Sequence, residues 1–261
     1  MEAVNNLLSG HLDWVSAFTK GVRPVVALTF SANHKMHGLA VGGYHIVNIL
    51  IHILNVFLVY LLMRRLLTMP VVEGSFRKKE EWIAIAVAAV FALHPVQTEA
   101  VTYSVQRAEI LASSFYLLTL LALIEFTETS GKRAYASLAV GCCLFLLGWG
   151  SKEIVVTVPV LYMLFVIYFM DSGKMKRAAP VLIPMILTGL TLVFHEIASF
   201  KGSEHIGFGL RDIGLGPREY LYTESRVLLT YLRLIFMPVN QNLDYAYPIY
   251  RRFFDINVAG S

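Results

Sequence analysis

The chain has 261 residues, a mean hydropathy of +0.61 and 56% hydrophobic residues. Only 15% of its residues are charged, against about 25% in ordinary soluble domains, which points to an all-α, polytopic membrane helix bundle and leaves no room for a sizeable soluble domain. The net charge is only +4, and no basic tract alternates with aromatics, so a nucleic-acid partner is excluded.

Residues 1–40 hold two apolar stretches, 12–17 and 25–30, separated by Arg23 and Pro24. Both are too short to cross about 30 Å of hydrocarbon, so they read as an external loop with interfacial segments. No basic region precedes a long apolar run, as a signal peptide requires. The first membrane segment is therefore expected to act as its own insertion signal, unless a segment precedes it. Residues 41–63 carry no formal charge and end at Arg64 and Arg65, making the first span. His45, Asn48, His52 and Asn55 follow at helical steps and share one face. That face is either a cavity-lining stripe or a helix–helix hydrogen-bond seam.

Further spans are expected at 82–96, 105–126, 134–149, 154–170 and 178–199. Between the apolar runs 82–93 and 110–124 stand His94, Glu99, Arg107 and Glu109. Ionisable groups so close to hydrocarbon are costly unless paired or hydrated. They mark a functional site facing a polar cavity, or a hydrated loop that caps two helices. Cys142 and Cys143 are adjacent inside a span and read as packing residues, since vicinal cysteines there make neither a disulfide framework nor a metal site. Pro180 and Pro184 fall near the start of the sixth span, where first-turn N–H groups lack partners anyway. Residues 220–237 are helical in period, with Arg226 and Arg233 on one face, which suggests an interfacial helix lying flat. A seventh span is the alternative. The organisation is thus 1–40 external, 41–199 a six-span bundle, and 200–261 an external loop with an amphipathic or seventh helix.

Basic residues occupy alternate loops: Arg64 and Arg65 with Arg77 to Lys79, then Lys132 and Arg133, then Lys174, Lys176 and Arg177. The positive-inside rule makes those loops cytoplasmic. Arg23, Glu99, Arg107, Lys152 and Glu153 then share the opposite face. No Asn-x-Ser/Thr sequon occurs, which fits a bacterial inner membrane better than the endoplasmic reticulum.

The sequence from His94 and Pro95 through Thr98, Glu99, Ala100 and Val101 to Arg107, Glu109 and Leu111 resembles the second external loop of the TMTC-type protein O-mannosyltransferases and their bacterial tetratricopeptide-repeat relatives. Arg23, Pro24 and Val25, then Gly43, Tyr44, His45, Asn48 and His52, resemble the segment before and into that family's second span. Lys152 and Glu153 are similar to its Lys-Glu pair. Asp244 and Tyr245, between Pro238 and Pro248, resemble a late external loop of the bacterial branch.

The resemblance implies a GT-C fold and a membrane glycosyltransferase, O-mannosyltransferase-like, that moves a sugar from a polyprenyl-phosphate donor to a protein or glycan acceptor on the extracytoplasmic face. The family's catalytic acidic pair has no match here: residues 1–40 hold only Glu2 and Asp13, which are not adjacent. The chain therefore reads as a partial membrane domain, with activity expected of the full-length protein.

Such transfer needs a cation for the phosphate leaving group and a carboxylate for the acceptor's proton. Arg23, Arg107, Lys152, Arg226 and Arg233 are the candidate phosphate-binding cations, and Asp244 a further substrate-binding residue. Glu99, Glu109 and Glu153 are supporting carboxylates, and His94 with Glu99 would be the ligands of a divalent metal. For each charged pair a structural ion pair is the simpler reading. A transporter or flippase-like protein, or a non-catalytic remnant, stays open as an alternative. Charges gathered at helix ends on one face favour chemistry at the membrane surface over a solute path.

Overall fold

A computed structural model describes residues 23–202 and 217–242, with side chains placed over 23–194 and 222–242. The apolar stretch 12–17, Asp13 and Asp244 lie outside the described residues. Within those residues every regular element is a helix, as the composition requires.

Arg23 precedes α1, Pro24–His37, whose Pro24 occupies the first turn, where no N–H partner is needed. Gly38 closes it at φ +58°, its N–H returning to His34 O at 2.7 Å. Helix α2, Val41–Leu67, is the long uncharged run, and its last turn holds Arg64 and Arg65, which suit the negative end of the helix dipole. A single turn, α3, Gly74–Arg77, leads to α4, Glu80–Leu93, which opens on Glu80 and Glu81. Next come α5, Gln97–Thr102, a 3-10 turn, Ser104–Gln106, and α6, Arg107–Glu128. Helix α7, Gly131–Trp149, then a 3-10 turn, Glu153–Thr157, and α8, Val158–Phe169, follow. The last two helices are α9, Ser172–Gly202, and α10, Pro217–Phe236.

Three of these helices are long and apolar enough to cross a membrane: Val41–Leu67, Ser104–Glu128 and Ser172–Phe194. The stretch Glu153–Phe169 is apolar but shorter. Six or seven spans are expected from the sequence; these three are the candidates by length and composition among the described residues, with shorter apolar helices beside them. The span expected over 82–96 stops at Leu93, because the residue before Pro95 is pushed out of helical conformation. At 14 residues α4 is about 21 Å long, short of the roughly 30 Å of hydrocarbon. Helix α10 is not among the three. Arg218, Glu219, Glu224, Arg226 and Arg233 load it with charge, which is in keeping with the amphipathic alternative.

The described chain divides into two units, 23–93 with 97–193, and 94–96 with the described residues from 194 on. The first unit is built on α6 packed against α7, α2 and α8. Leu123, Ile124, Phe145, Val155, Val158, Tyr162 and Phe165 form its core, joined by Ala178, Leu182 and Met185 of α9. Gly148 makes a tight crossing: a Cβ there would stand 2.8 Å from Val155 and 2.9 Å from Phe115.

Charges in this unit collect at its two ends. At one end Arg65 pairs with Glu125 at 2.8 Å and with Glu128, and Arg133 meets Glu125 at 2.7 Å. Arg177 lies 4.8 Å above the Phe126 ring. These are the basic residues of the alternate loops, brought together as the charge pattern expects. The other end, about 24 Å away along α6 by helical rise, carries Glu109 and its neighbours.

Candidate functional site

Three separated segments converge at that second end: the start of α1, the first turn of α6, and the junction after α7. Val25 N–H donates to Gly150 O at 3.2 Å, which fastens the start of α1 to the end of α7. This seats Arg23 beside Glu153. The guanidinium donates to both carboxylate oxygens, with Nη2 3.2 Å from each and Nε 3.3 Å from Oε1. Their side chains are 43% and 44% exposed, so the pair is screened and contributes about 0–1 kcal/mol to stability. Lys152, preceding Glu153, donates instead to Glu109 Oε1. Burial, and then the positive charge of Arg23, pushes the Lys152 amine below its ordinary value, against an opposing pull from Glu153.

The result is a half-exposed row of alternating charge, Arg23, Glu153, Lys152 and Glu109. Two cations within it are suited to an anionic group, Arg23 by a bidentate fork and Lys152 as a point charge. Two carboxylates beside them are placed to accept a proton or to hold the cations.

Arg107 occupies a different environment. It is 0% exposed. Its Nε donates to Asn48 Oδ1 at 2.9 Å, and Nη2 donates to Asn33 Oδ1 at 2.9 Å and Tyr44 O at 3.1 Å. Nη1 donates to Thr29 O at 3.3 Å. The guanidinium lies 4.3 Å from the Phe30 ring centroid and 5.6 Å from that of Tyr44. Among the described residues no carboxylate pairs with it. This charge is held by neutral acceptors and ring faces, an arrangement open to Arg through its fixed fork and weak hydration.

The polar face of α2 resolves into a seam. Asn48 and Asn55 are 0% and 1% exposed. Asn48 also donates to Tyr103 O at 3.4 Å. Asn55 donates to Ile110 O at 2.8 Å and accepts from Ser114 at 2.6 Å. His52 reaches Ala92 O through Nε2 at 3.3 Å and stacks on Phe91. The cavity-lining alternative therefore gives way at Asn48 and Asn55, because both amides are spent on neighbouring helices. His45 is half-buried on the same helix.

Glu99 accepts from Gln106 Nε2 at 2.9 Å, a bond made as α5 gives way to the 3-10 turn. His94 belongs to the second unit. Val96 N–H donates to its Nδ1 at 3.2 Å, so Nε2 carries the proton and donates to Ile235 O at 3.0 Å. That leaves no ring lone pair for a metal. Among the described residues no three His, Cys, Asp or Glu side chains gather around a metal position. Arg226 and Arg233 lie on α10 in the second unit.

Sequence reasoning missed Asn33, Phe30 and Tyr44 as the cage of Arg107. No sequence signal marks them, because amides, carbonyls and rings carry no charge and come from segments 59 to 78 residues away.

Comparison with known proteins gives a consistent set of relatives. Protein O-mannosyl-transferase TMTC2 of Mus musculus is 31% identical over 220 residues, covering 79% of this chain and 23% of that protein. The Homo sapiens protein of the same name is 29% identical over the same shares. Protein O-mannosyl-transferase Tmtc3 of Drosophila melanogaster is 34% identical over 166 residues, 57% of this chain and 18% of that protein. The chain thus spans about a quarter of the length of the two mammalian relatives. No family model matches the sequence, and no solved structure matches it.

Proposed function

We propose, from the premise that this is a TMTC-type sequence related to part of the protein O-mannosyl-transferases, that the chain is membrane-domain sequence of a glycosyltransferase. The reaction is transfer of a sugar, mannose by likeness to the relatives' name, from a polyprenyl-phosphate donor to a protein acceptor. In this reading the row Arg23, Glu153, Lys152 and Glu109 faces away from the cytoplasm and receives the donor's phosphate. The observation that carries it is the convergence of two cations and two carboxylates, from three distant segments, at the bundle end opposite the alternate-loop basic residues.

Arg23 and Lys152 would take the charge that grows on the leaving phosphate. Glu109 and Glu153 would hold them in place, or accept a proton once the cations engage the phosphate. A divalent metal belongs to the same proposal only through single ligands such as Glu99, since the donors described do not converge. No step is routed through one. Charge pairs at the helix ends, not midway along the spans, favour this reading over a transporter. The relatives quoted are animal proteins and give the bacterial inner-membrane expectation no support, so the proposal is confined to a membrane-embedded site.

The test is sugar transfer by the full-length protein in proteoliposomes, using radiolabelled mannosyl polyprenyl phosphate and a Ser/Thr-containing peptide. Loss of transfer in Arg23→Ala and Lys152→Met, with folding retained, supports the assignment. Unchanged turnover in both removes it.

A further inference from the structure

We infer that Arg107 is a positioning residue, the clamp that docks α1 and so presents Arg23, and that it is not itself a ligand of the substrate. The inference rests on the proposed function only in calling Arg23 a substrate-binding cation; the docking stands on geometry.

Arg107 is 0% exposed, so a phosphate reaches it only if α1 first leaves. Its hydrogen bonds are divided between two helices. Thr29 O and Asn33 Oδ1 belong to α1, whereas Tyr44 O and Asn48 Oδ1 belong to α2. Its ring contacts divide the same way, Phe30 from α1 and Tyr44 from α2. The side chain itself starts from the first residue of α6. One guanidinium thus ties three helices together at a single point.

Helix α1 has other attachments as well. Val26 packs with Ala108 and Leu111, flanked by Phe30, Ile51 and Phe115, in a small buried cluster. Val25 bonds Gly150 through the backbone. The Arg23–Glu153 pair is exposed and too weak to hold a helix. On its outer side α1 shows Met36 at 67% exposure. Without Arg107, then, α1 would keep the Val25–Gly150 backbone bond, the bond from the Tyr44 hydroxyl to Gly38 O at 2.9 Å, the Phe30–Tyr44 ring contact and a few methyl contacts, none of which ties its middle to α6 by a hydrogen bond. A lysine does not replace it, because a single ammonium cannot span acceptors on both helices.

The experiment places cysteines at 23 and 153 in the full chain, with Cys142 and Cys143 changed to serine, in lipid nanodiscs. A short bismaleimide reports the 23–153 distance. A second cysteine pair at 65 and 125, at the opposite end, reports the rest of the bundle. Arg107→Met is expected to lower the 23–153 cross-link several-fold and leave the 65–125 cross-link unchanged. If neither falls, the clamp is wrong. If both fall, Arg107→Met has lost the fold, and Asn33→Leu, which removes one α1 acceptor of Arg107 and a bond to His37 within α1, decides. A selective fall at 23–153 in Asn33→Leu supports the clamp, and no fall overturns it. Neither cross-link depends on turnover, so absence of sugar transfer would count against the proposed function and leave this inference standing.

Discussion

Asn48 Oδ1 accepts the Nε–H of Arg107 at 2.9 Å across 59 residues of chain, and both side chains are 0% exposed. A neutral amide oxygen thereby helps to hold a buried cation that no described carboxylate compensates. Its removal leaves a charged donor unsatisfied, whereas loss of a neutral seam bond leaves only a carbonyl. Asn48→Leu is therefore expected to cost about 1.5–3 kcal/mol, as hydrogen bonds to charged groups do. Asn55→Leu is expected to cost about 0.6–1.7 kcal/mol, the range for neutral bonds between membrane helices. Thermal unfolding of the two variants in one detergent checks the order, and an equal or reversed order would contradict it.

Arg23→Ala should separate stability from activity. The Arg23–Glu153 pair is half-exposed, so its loss should lower stability by no more than about 1 kcal/mol. Transfer should fall on the order of 10²-fold if Arg23 meets the developing phosphate charge. Steady-state kinetics alongside a melting curve measures both. A variant that melts early and turns over normally would assign Arg23 to structure alone.

Lys152 should react out of step with the loop lysines. Burial and Arg23 lower its pKa. Acylation needs the neutral amine, and a lowered pKa raises the neutral fraction at any pH below the usual lysine value of about 10.4. On raising the pH of detergent-solubilised protein, Lys152 should be acylated before Lys78, as read by peptide mass spectrometry. The Arg23→Ala change should move the Lys152 onset back to higher pH, because it removes a positive neighbour. Simultaneous onset for Lys152 and Lys78 would refute the shift.

Gly148→Ala should destabilise the first unit. Its new Cβ would meet Val155 and Phe115 inside 3.0 Å, and overpacking of that kind costs about 1–3 kcal/mol. Gly42, with nothing within 4 Å of a built Cβ, serves as the control. Urea titration of the two alanine variants checks the contrast.

Much of this was legible in residues. The uncharged run before Arg64 foretold α2, and the spacing of Asn48, His52 and Asn55 foretold one face, though not whether it was wet. Alternate basic loops foretold that Arg65, Arg133 and Arg177 would share an end. Pairing was not legible, because Arg23 and Glu153 are 130 residues apart and nothing local joins them. Nor was the burial of Arg107 foreseen. A charge beside an apolar run reads as a surface group until its cage is seen, and that cage is built from amides, carbonyls and rings, which carry no charge signal. The end of α4 was over-read because hydropathy counts Pro95 and Val96 as continuing a run that the backbone ends at Leu93.

The bond from Val25 N–H to Gly150 O has no side chain in it. Every amino acid except proline can supply the donor at position 25, so point substitution there leaves this bond intact. The meeting of α1 with the end of α7 thus has a main-chain part, which exchange of the exposed charges around it does not touch. Descendants of this sequence can try new chemistry at the same address without rebuilding the address.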